Sequence, residues 1–302
     1  MHQRSIRGLV AAATTPFLPD LSPNHAVLAR HCRRLIDQGC AAVLVLGTTG
    51  EANSLSVEER LQLLRALGDG GLGRALLVGV GCCALPDTVR LVRQALEIDA
   101  AGVLALPPFY YKGVTDQGVA SFFSQVIERV ADERLRFYLY HIPRQSGVPI
   151  TRGVLLPLLS AHPGTVVGLK DSGGDWDHTA ALLRELPRLS IFTGTEEHFL
   201  AGLRMGGEGC ISATFNVIAR EAAEAHGAFG EPDSQRADRL QQRLTLLRRV
   251  FAGHPMVAAL KAVLARQFPD EGWNRLRPPL LPLAEQDRAA LLQSLRVAGV
   301  PI

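Results

Sequence analysis

The sequence of 302 residues is short of lysine: only Lys112, Lys170 and Lys261 stand among its 32 basic residues. Wherever a positive charge alone is needed, the chain uses arginine. A lysine inside an apolar segment therefore calls for a reason that charge does not supply. Tyrosine is scarce as well, with four residues, and tryptophan has two. No apolar run approaches the roughly 20 residues of a membrane span; Ala75 to Val80 is typical of the longest. The five cysteines (Cys32, Cys40, Cys82, Cys83 and Cys210) lack metal-ligand spacing. They read as reduced thiols of a cytoplasmic protein, with Cys82 and Cys83 at a packed strand end. The net charge is only +3, with no basic stripe interleaved with aromatics, so nucleic acid is not an expected partner. The N-terminus has a basic start and a short apolar stretch but no small-residue cleavage site. It reads as a first strand and not as a secretory signal.

Short apolar runs alternate with longer amphipathic ones. Candidate strands are Gly8–Ala13, Ala42–Leu46, Ala75–Val80, Gly102–Leu106, Arg136–His141, Val166–Lys170, Leu189–Thr193 and Gly209–Ser212. Helical patterns lie between them, such as Asn24–Gln38, Val57–Leu67, Asp87–Ile98, Asp116–Val130, Thr151–Ser160, Asp177–Glu185 and Glu197–Met205. Continuous apolar strands separated by helices predict a parallel sheet covered on both faces. Eight such units predict an α/β fold of the closed (β/α)8 TIM-barrel type. No GxGxxG follows the first strand, which weakens the dinucleotide-binding alternative. Further helical patterns at Val217–Phe229, Ser234–Phe251, Pro255–Arg266 and Glu285–Ala298 predict a C-terminal helical extension. The expected division is a barrel over 1–225 and a helical bundle over 226–302 packed on it.

In such a barrel, chemistry gathers where strands end and βα loops begin. Lys170 ends the apolar run Val166-Val167-Gly168-Leu169. Apolar surroundings disfavour an ammonium ion, and a neutral amine attacks carbonyls where arginine cannot. A structural pairing of Lys170 with Asp171 or another carboxylate stays open at this point. The turn Gly47-Thr48-Thr49-Gly50 offers backbone N–H groups and hydroxyls suited to a carboxylate, although glycine also marks ordinary turns. Tyr140 falls one strand before Lys170, where a phenol can relay a proton or simply pack. Three of the four tyrosines, Tyr110, Tyr111 and Tyr140, fall at strand ends.

With these motifs in place, the sequence resembles the dihydrodipicolinate synthase and N-acetylneuraminate lyase family of class I pyruvate-dependent enzymes. The carrying motifs are GTTGE at 47–51, PFYY at 108–111, YHIP at 140–143, GLKDS at 168–172 and GCISATFNV at 209–217. The resemblance runs from Thr14 to the Arg277-Pro278-Pro279-Leu280 segment. It implies that Lys170 forms a Schiff base with a 2-oxo acid and that Tyr140 is the acid/base beside it. It further implies a proton relay of Thr48, Tyr140 and Tyr110, the last in some relatives supplied by a neighbouring subunit. Thr48 and Thr49 would bind the pyruvyl carboxylate, while Gly194 and Ile211 would offer backbone contacts. No metal and no organic cofactor is implied. A homo-oligomer, dimer or tetramer, is.

Departures from the pattern bear on substrate. In dihydrodipicolinate synthases an arginine usually stands two residues after the proline of the tyrosine motif. Here Pro143 is followed by Arg144 and then Gln145, and His141 stands where asparagine is common. Glu196 and Glu197 match an acidic pair that lies near the polyol tail in N-acetylneuraminate lyases, and carboxylates accept hydrogen bonds from hydroxyls. Acids at a helix N-terminus explain the pair equally simply. The expected reaction is cleavage of a 2-oxo-3-deoxy sugar acid to pyruvate and an aldehyde. Condensation of pyruvate with aspartate semialdehyde, or a dehydration through the same iminium, is the alternative.

Overall fold

The computed structural model describes residues 6–231 and 234–302; residues 1–5 of the expected barrel and residues 232–233 lie outside the described residues. The eight expected strands all form, each within one residue of its expected ends. They are β1 (Gly8–Ala12), β2 (Ala42–Val45), β3 (Leu76–Gly79), β4 (Gly102–Ala105), β5 (Phe137–His141), β6 (Val166–Asp171), β7 (Ser190–Thr193) and β8 (Gly209–Ser212). Every neighbouring pair is parallel, and β1 pairs with β8, so the sheet is a closed (β/α)8 barrel. Closure brings Gly8 against Gly209, where a Cβ on Gly209 would sit 1.8 Å from the Gly8 carbonyl oxygen. Only glycine allows two strands that approach.

The helices are α1 (His25–Asp37), α2 (Val57–Asp69), α3 (Leu85–Glu97), α4 (Asp116–Val130), α5 (Pro143–Ser146), α6 (Arg152–Ala161), α7 (Trp176–Glu185), α8 (Phe199–Arg204), α9 (Phe215–Phe229), α10 (Ser234–Ala252), α11 (Met256–Gln267) and α12 (Glu285–Val297). Side chains of Asn24, Ser56, Thr115, Thr151 and Asp175 accept hydrogen bonds from free N–H groups in the first turns of α1, α2, α4, α6 and α7. These caps fix where five helices begin. The sequence pattern gives no sign of α5, a single turn after Pro143. None of the described helices is long and apolar enough to cross a membrane.

Strand alternation sorts the apolar residues into two layers. Val10, Leu44, Leu77, Leu104, Tyr138, Phe192 and Ile211 fill the barrel interior. Val43, Val78, Val103, Leu139, Leu169 and Ile191 face outward into the larger core under the helices. The same alternation turns Tyr140 and Lys170 inward, and His141 and Asp171 outward. At the β1–β8 seam, Asn216 donates to the carbonyls of Ala12 and Ala213 and accepts from the Thr14 N–H and from His31. One buried amide thus holds the two closing strands together. After α9, the chain packs α10 on α9 and on the turn at residues 196–198, and α12 on α10 and α11.

Candidate active site

The register of β5 and β6 places Tyr140 directly opposite Lys170. Lys170 Nζ lies 3.3 Å from the Tyr140 hydroxyl and 4.4 Å from the centre of its ring. Both residues are only 5% exposed, yet both touch a cavity of about 500 Å³ at the C-terminal mouth of the barrel. That is the face where barrel strands deliver their loop residues. Thr48, Thr49, Gly194 and Ile211 line the same cavity.

The turn after β2 leaves backbone donors free. Its own hydrogen bonds run from the N–H groups of Gly50, Glu51 and Ala52 to Gly47 and Thr48 carbonyls. Among the described residues, the N–H groups of Thr48 and Thr49 have no protein acceptor. Two adjacent free donors and two hydroxyls on the cavity that Lys170 also lines are the kind of groups that can hold an anion. The turn is held from behind by Glu51, whose backbone is left-handed at φ 55°. Glu51 is buried and paired with the equally buried Lys261 of α11, and it accepts from the Arg277 N–H. Burial pulls the Lys261 ammonium down to about 8, against the attraction of Glu51. Across the site, a Cβ on Gly194 would lie 2.0 Å from the Ser172 hydroxyl, so glycine is required for that loop to approach β6.

Two expected residues sit elsewhere. Tyr110 is 74% exposed on the loop after β4, edge-on to Tyr111, and does not line the cavity. Glu196 is fully buried, and Glu197 takes the cavity wall in its place. On the tight turn at Glu196–His198 successive side chains point roughly 120° apart, which sends Glu196 into the core and leaves Glu197 at the rim. Neither Glu196 oxygen has a well-formed hydrogen bond among the described residues, Ser212 lying nearby out of bonding geometry. Burial pushes its carboxyl up, partly opposed by Arg248 at 3.8 Å.

Sequence reasoning missed three features. Arg248, on α10, reaches the cavity from the C-terminal helices. Arg144, next to the proline of the tyrosine motif, lines the cavity beside Gln145. Outward of the strand ends, His141, Asp171 and His178 converge. They are cation-ligand types, and hydrogen bonds tie them to the surrounding backbone and to one another. The Ile150 N–H donates to His141 Nδ1, and Asp171 accepts from the Gly173 N–H, the Thr179 hydroxyl and His178. A metal would need His141 Nε2 unprotonated, which would put a proton on Nδ1 facing the Ile150 N–H. The cluster is therefore a brace on the loop after β6, with burial lowering the His141 pKa against the pull of Asp171. Its sequence signal was present, since His141 and Asp171 are the register pair next to Tyr140 and Lys170.

The comparisons agree with this geometry. The dihydrodipicolinate synthetase family model matches residues 5–298. An uncharacterized DapA-like lyase of Chloroflexus aurantiacus is 37% identical over 289 residues, covering 94% of each chain. The crystal structure of dihydrodipicolinate synthase from Agrobacterium tumefaciens superposes with a TM-score of 0.87 at 30% identity, over 96% of this chain and 99% of that one. Proteus mirabilis N-acetylneuraminate lyase gives a TM-score of 0.86 at 27% identity, over 99% of this chain and 100% of the other. With a synthase and a lyase both superposing along nearly their whole length, and the family model spanning almost every residue, this chain belongs to the dihydrodipicolinate synthetase family.

Proposed function

We propose that the protein is a class I lyase that cleaves a 2-oxo-3-deoxy sugar acid to pyruvate and an aldehyde. The observation that carries this is the inward pair Lys170 and Tyr140 at 3.3 Å, beside the free N–H groups of Thr48 and Thr49. The substrate carboxylate sits on that turn, with Gly194 and Ile211 against the rest of the pyruvyl unit. The Lys170 amine adds to C2, and loss of water gives the iminium. The C3–C4 bond then breaks, its electron pair moving into the iminium to form an enamine, while the C4 hydroxyl gives its proton to Tyr140. The aldehyde leaves, C3 takes a proton, and water releases pyruvate from Lys170. No metal or organic cofactor enters these steps.

Tyr110 completes the relay with Thr48 and Tyr140 in this reading, supplied by a second copy of the chain in a dimer or tetramer. Its exposure at the tip of a loop, together with that of Tyr111, supports such a contact. Residues 226–302 act as the helical unit packed on a barrel of 1–225. The setting is the cytoplasm, where the five free thiols stay reduced.

Condensation of pyruvate with aspartate semialdehyde is the second reading, favoured by Arg144 on the cavity wall. Dehydration through the same iminium is a third. A panel of 2-oxo-3-deoxy sugar acids, sialic acid, and pyruvate with aldehydes separates them. Pyruvate release from a sugar acid is the expected result; efficient consumption of aspartate semialdehyde instead would promote the second reading.

A further inference from the structure

We propose that Lys112 is a positioning residue: its ammonium ties the loop that carries Tyr110 and Tyr111 to the one-turn helix α5, and so sets where Tyr110 stands. This rests on the lyase reading above, in which Tyr110 completes the proton relay, and adds a residue to it.

The loop covers residues 107–114, between β4 and the start of α4. Its ends are anchored. Upstream β4 is paired with β5, and downstream the Thr151 hydroxyl donates to Asp116 at 2.6 Å. Every residue from Tyr110 to Gly118 is exposed. Among the described residues, a single side chain ties 107–114 to the rest of the chain by a hydrogen bond, that of Lys112. Its Nζ donates to the Phe109 carbonyl within the loop and to the Ser146 carbonyl at 2.7 Å. Neither carbonyl accepts a backbone N–H among the described residues.

Ser146 is the last residue of α5, so its carbonyl is one of the acceptors that a helix end leaves without a partner. It is a fixed target. Ser146 is buried, and its hydroxyl donates to the Val148 carbonyl at 2.8 Å. Gly147 follows with a left-handed φ of 65°. A Cβ there would lie 3.0 Å from Lys112 Nζ and 3.1 Å from its Cδ and Cε, so the lysine stem crosses bare backbone. An ammonium directs three N–H bonds from one atom and can meet two carbonyls that converge on it. A guanidinium spreads its donors over a planar fork. That accounts for lysine at this position in a chain that otherwise prefers arginine. Because α5 also carries Arg144 and Gln145, the same bond joins the tyrosine loop to the cavity wall.

Chymotrypsin, which cuts after aromatic residues, reads the tether, and turnover reads its use. In Lys112→Met, cleavage after Phe109, Tyr110 or Tyr111, located by peptide mass, should run on the order of 10-fold faster. That is the effect of losing a hydrogen bond to a charged group in a segment that opens and closes faster than it is cut. The kcat for sugar-acid cleavage should fall roughly 10- to 100-fold, the cost of a misplaced group, while pyruvate and borohydride still label Lys170. In a Tyr110→Phe background, Lys112→Met should cost less than about threefold more, because it acts through that hydroxyl. Lys112→Arg, which can reach one of the two carbonyls, should recover part of both readings. Lys112→Gln gives the same readings where the methionine variant folds poorly. Unchanged cleavage overturns the proposal, and so do kcat losses that multiply between Lys112→Met and Tyr110→Phe. A Tyr110→Phe variant that turns over like the unmodified protein overturns it as well. An unmodified protein that takes up no label from pyruvate and borohydride sinks the lyase reading instead, and leaves the faster cleavage standing.

Discussion

Lys170 and Tyr140 are partners in the parallel register of β5 and β6, which sets the lysine Nζ 3.3 Å from the phenol oxygen with no loop in between. Two rigid strands thus fix the distance between the amine and the phenol. A site built on strands keeps such a distance better than one built on loops. The turn at 47–50 and the Gly194 loop, by contrast, need outside support, which Glu51, Lys261 and the approach of Gly194 to Ser172 supply.

Tyr140→Phe removes one hydroxyl and keeps the ring packed in the barrel interior. The variant should fold as the parent does and lose roughly 10²- to 10⁴-fold in kcat, the range for general acid–base groups. Circular dichroism and steady-state turnover, measured together, check it. Turnover close to the parent value would remove Tyr140 from the mechanism.

Glu51→Gln leaves the buried Lys261 amine with no carboxylate against it among the described residues, so that it is either held charged at a cost or forced to give up its proton. Stranding one member of a buried pair costs about 3–5 kcal/mol. Denaturant unfolding should show that loss, and the KM for substrate should rise because the carboxylate turn loses its support. Glu51→Gln combined with Lys261→Met should recover part of the stability. A single variant as stable as the parent would mean that the pair carries no weight.

Glu59 bonds Arg277 through both oxygens, and this holds its carboxyl down to about 2, against an ordinary value of 4.5. The folded chain therefore binds the Glu59 proton less readily than the unfolded chain. The stabilisation is present above pH 4.5 and is lost as pH falls from there toward 2. Melting curves of the parent and Glu59→Gln should differ at pH 7 and converge across that interval. A gap unchanged down to pH 3 would contradict the assignment.

The strands were legible because parallel strands buried on both faces read as unbroken apolar runs, and their ends pointed to Lys170, Tyr140 and the Thr48–Thr49 turn. What stayed hidden was orientation within short or polar segments. Arg248 and Arg249 are neighbours on one helix, and only packing tells that the first faces the cavity while the second binds Glu197. Glu196 and Glu197 were indistinguishable until a tight turn buried one of them. Asn216 stood inside a quoted motif, yet its role at the β1–β8 seam depends on partners about 200 residues away in sequence.

The account rests on Lys170 as the nucleophile, and covalent trapping tests it most directly. Incubation with pyruvate and borohydride, followed by peptide mass measurement, should place one reduced pyruvyl group on Lys170. Lys170→Met should take up none. A label on Lys112 or Lys261, or no label at all, would contradict the account.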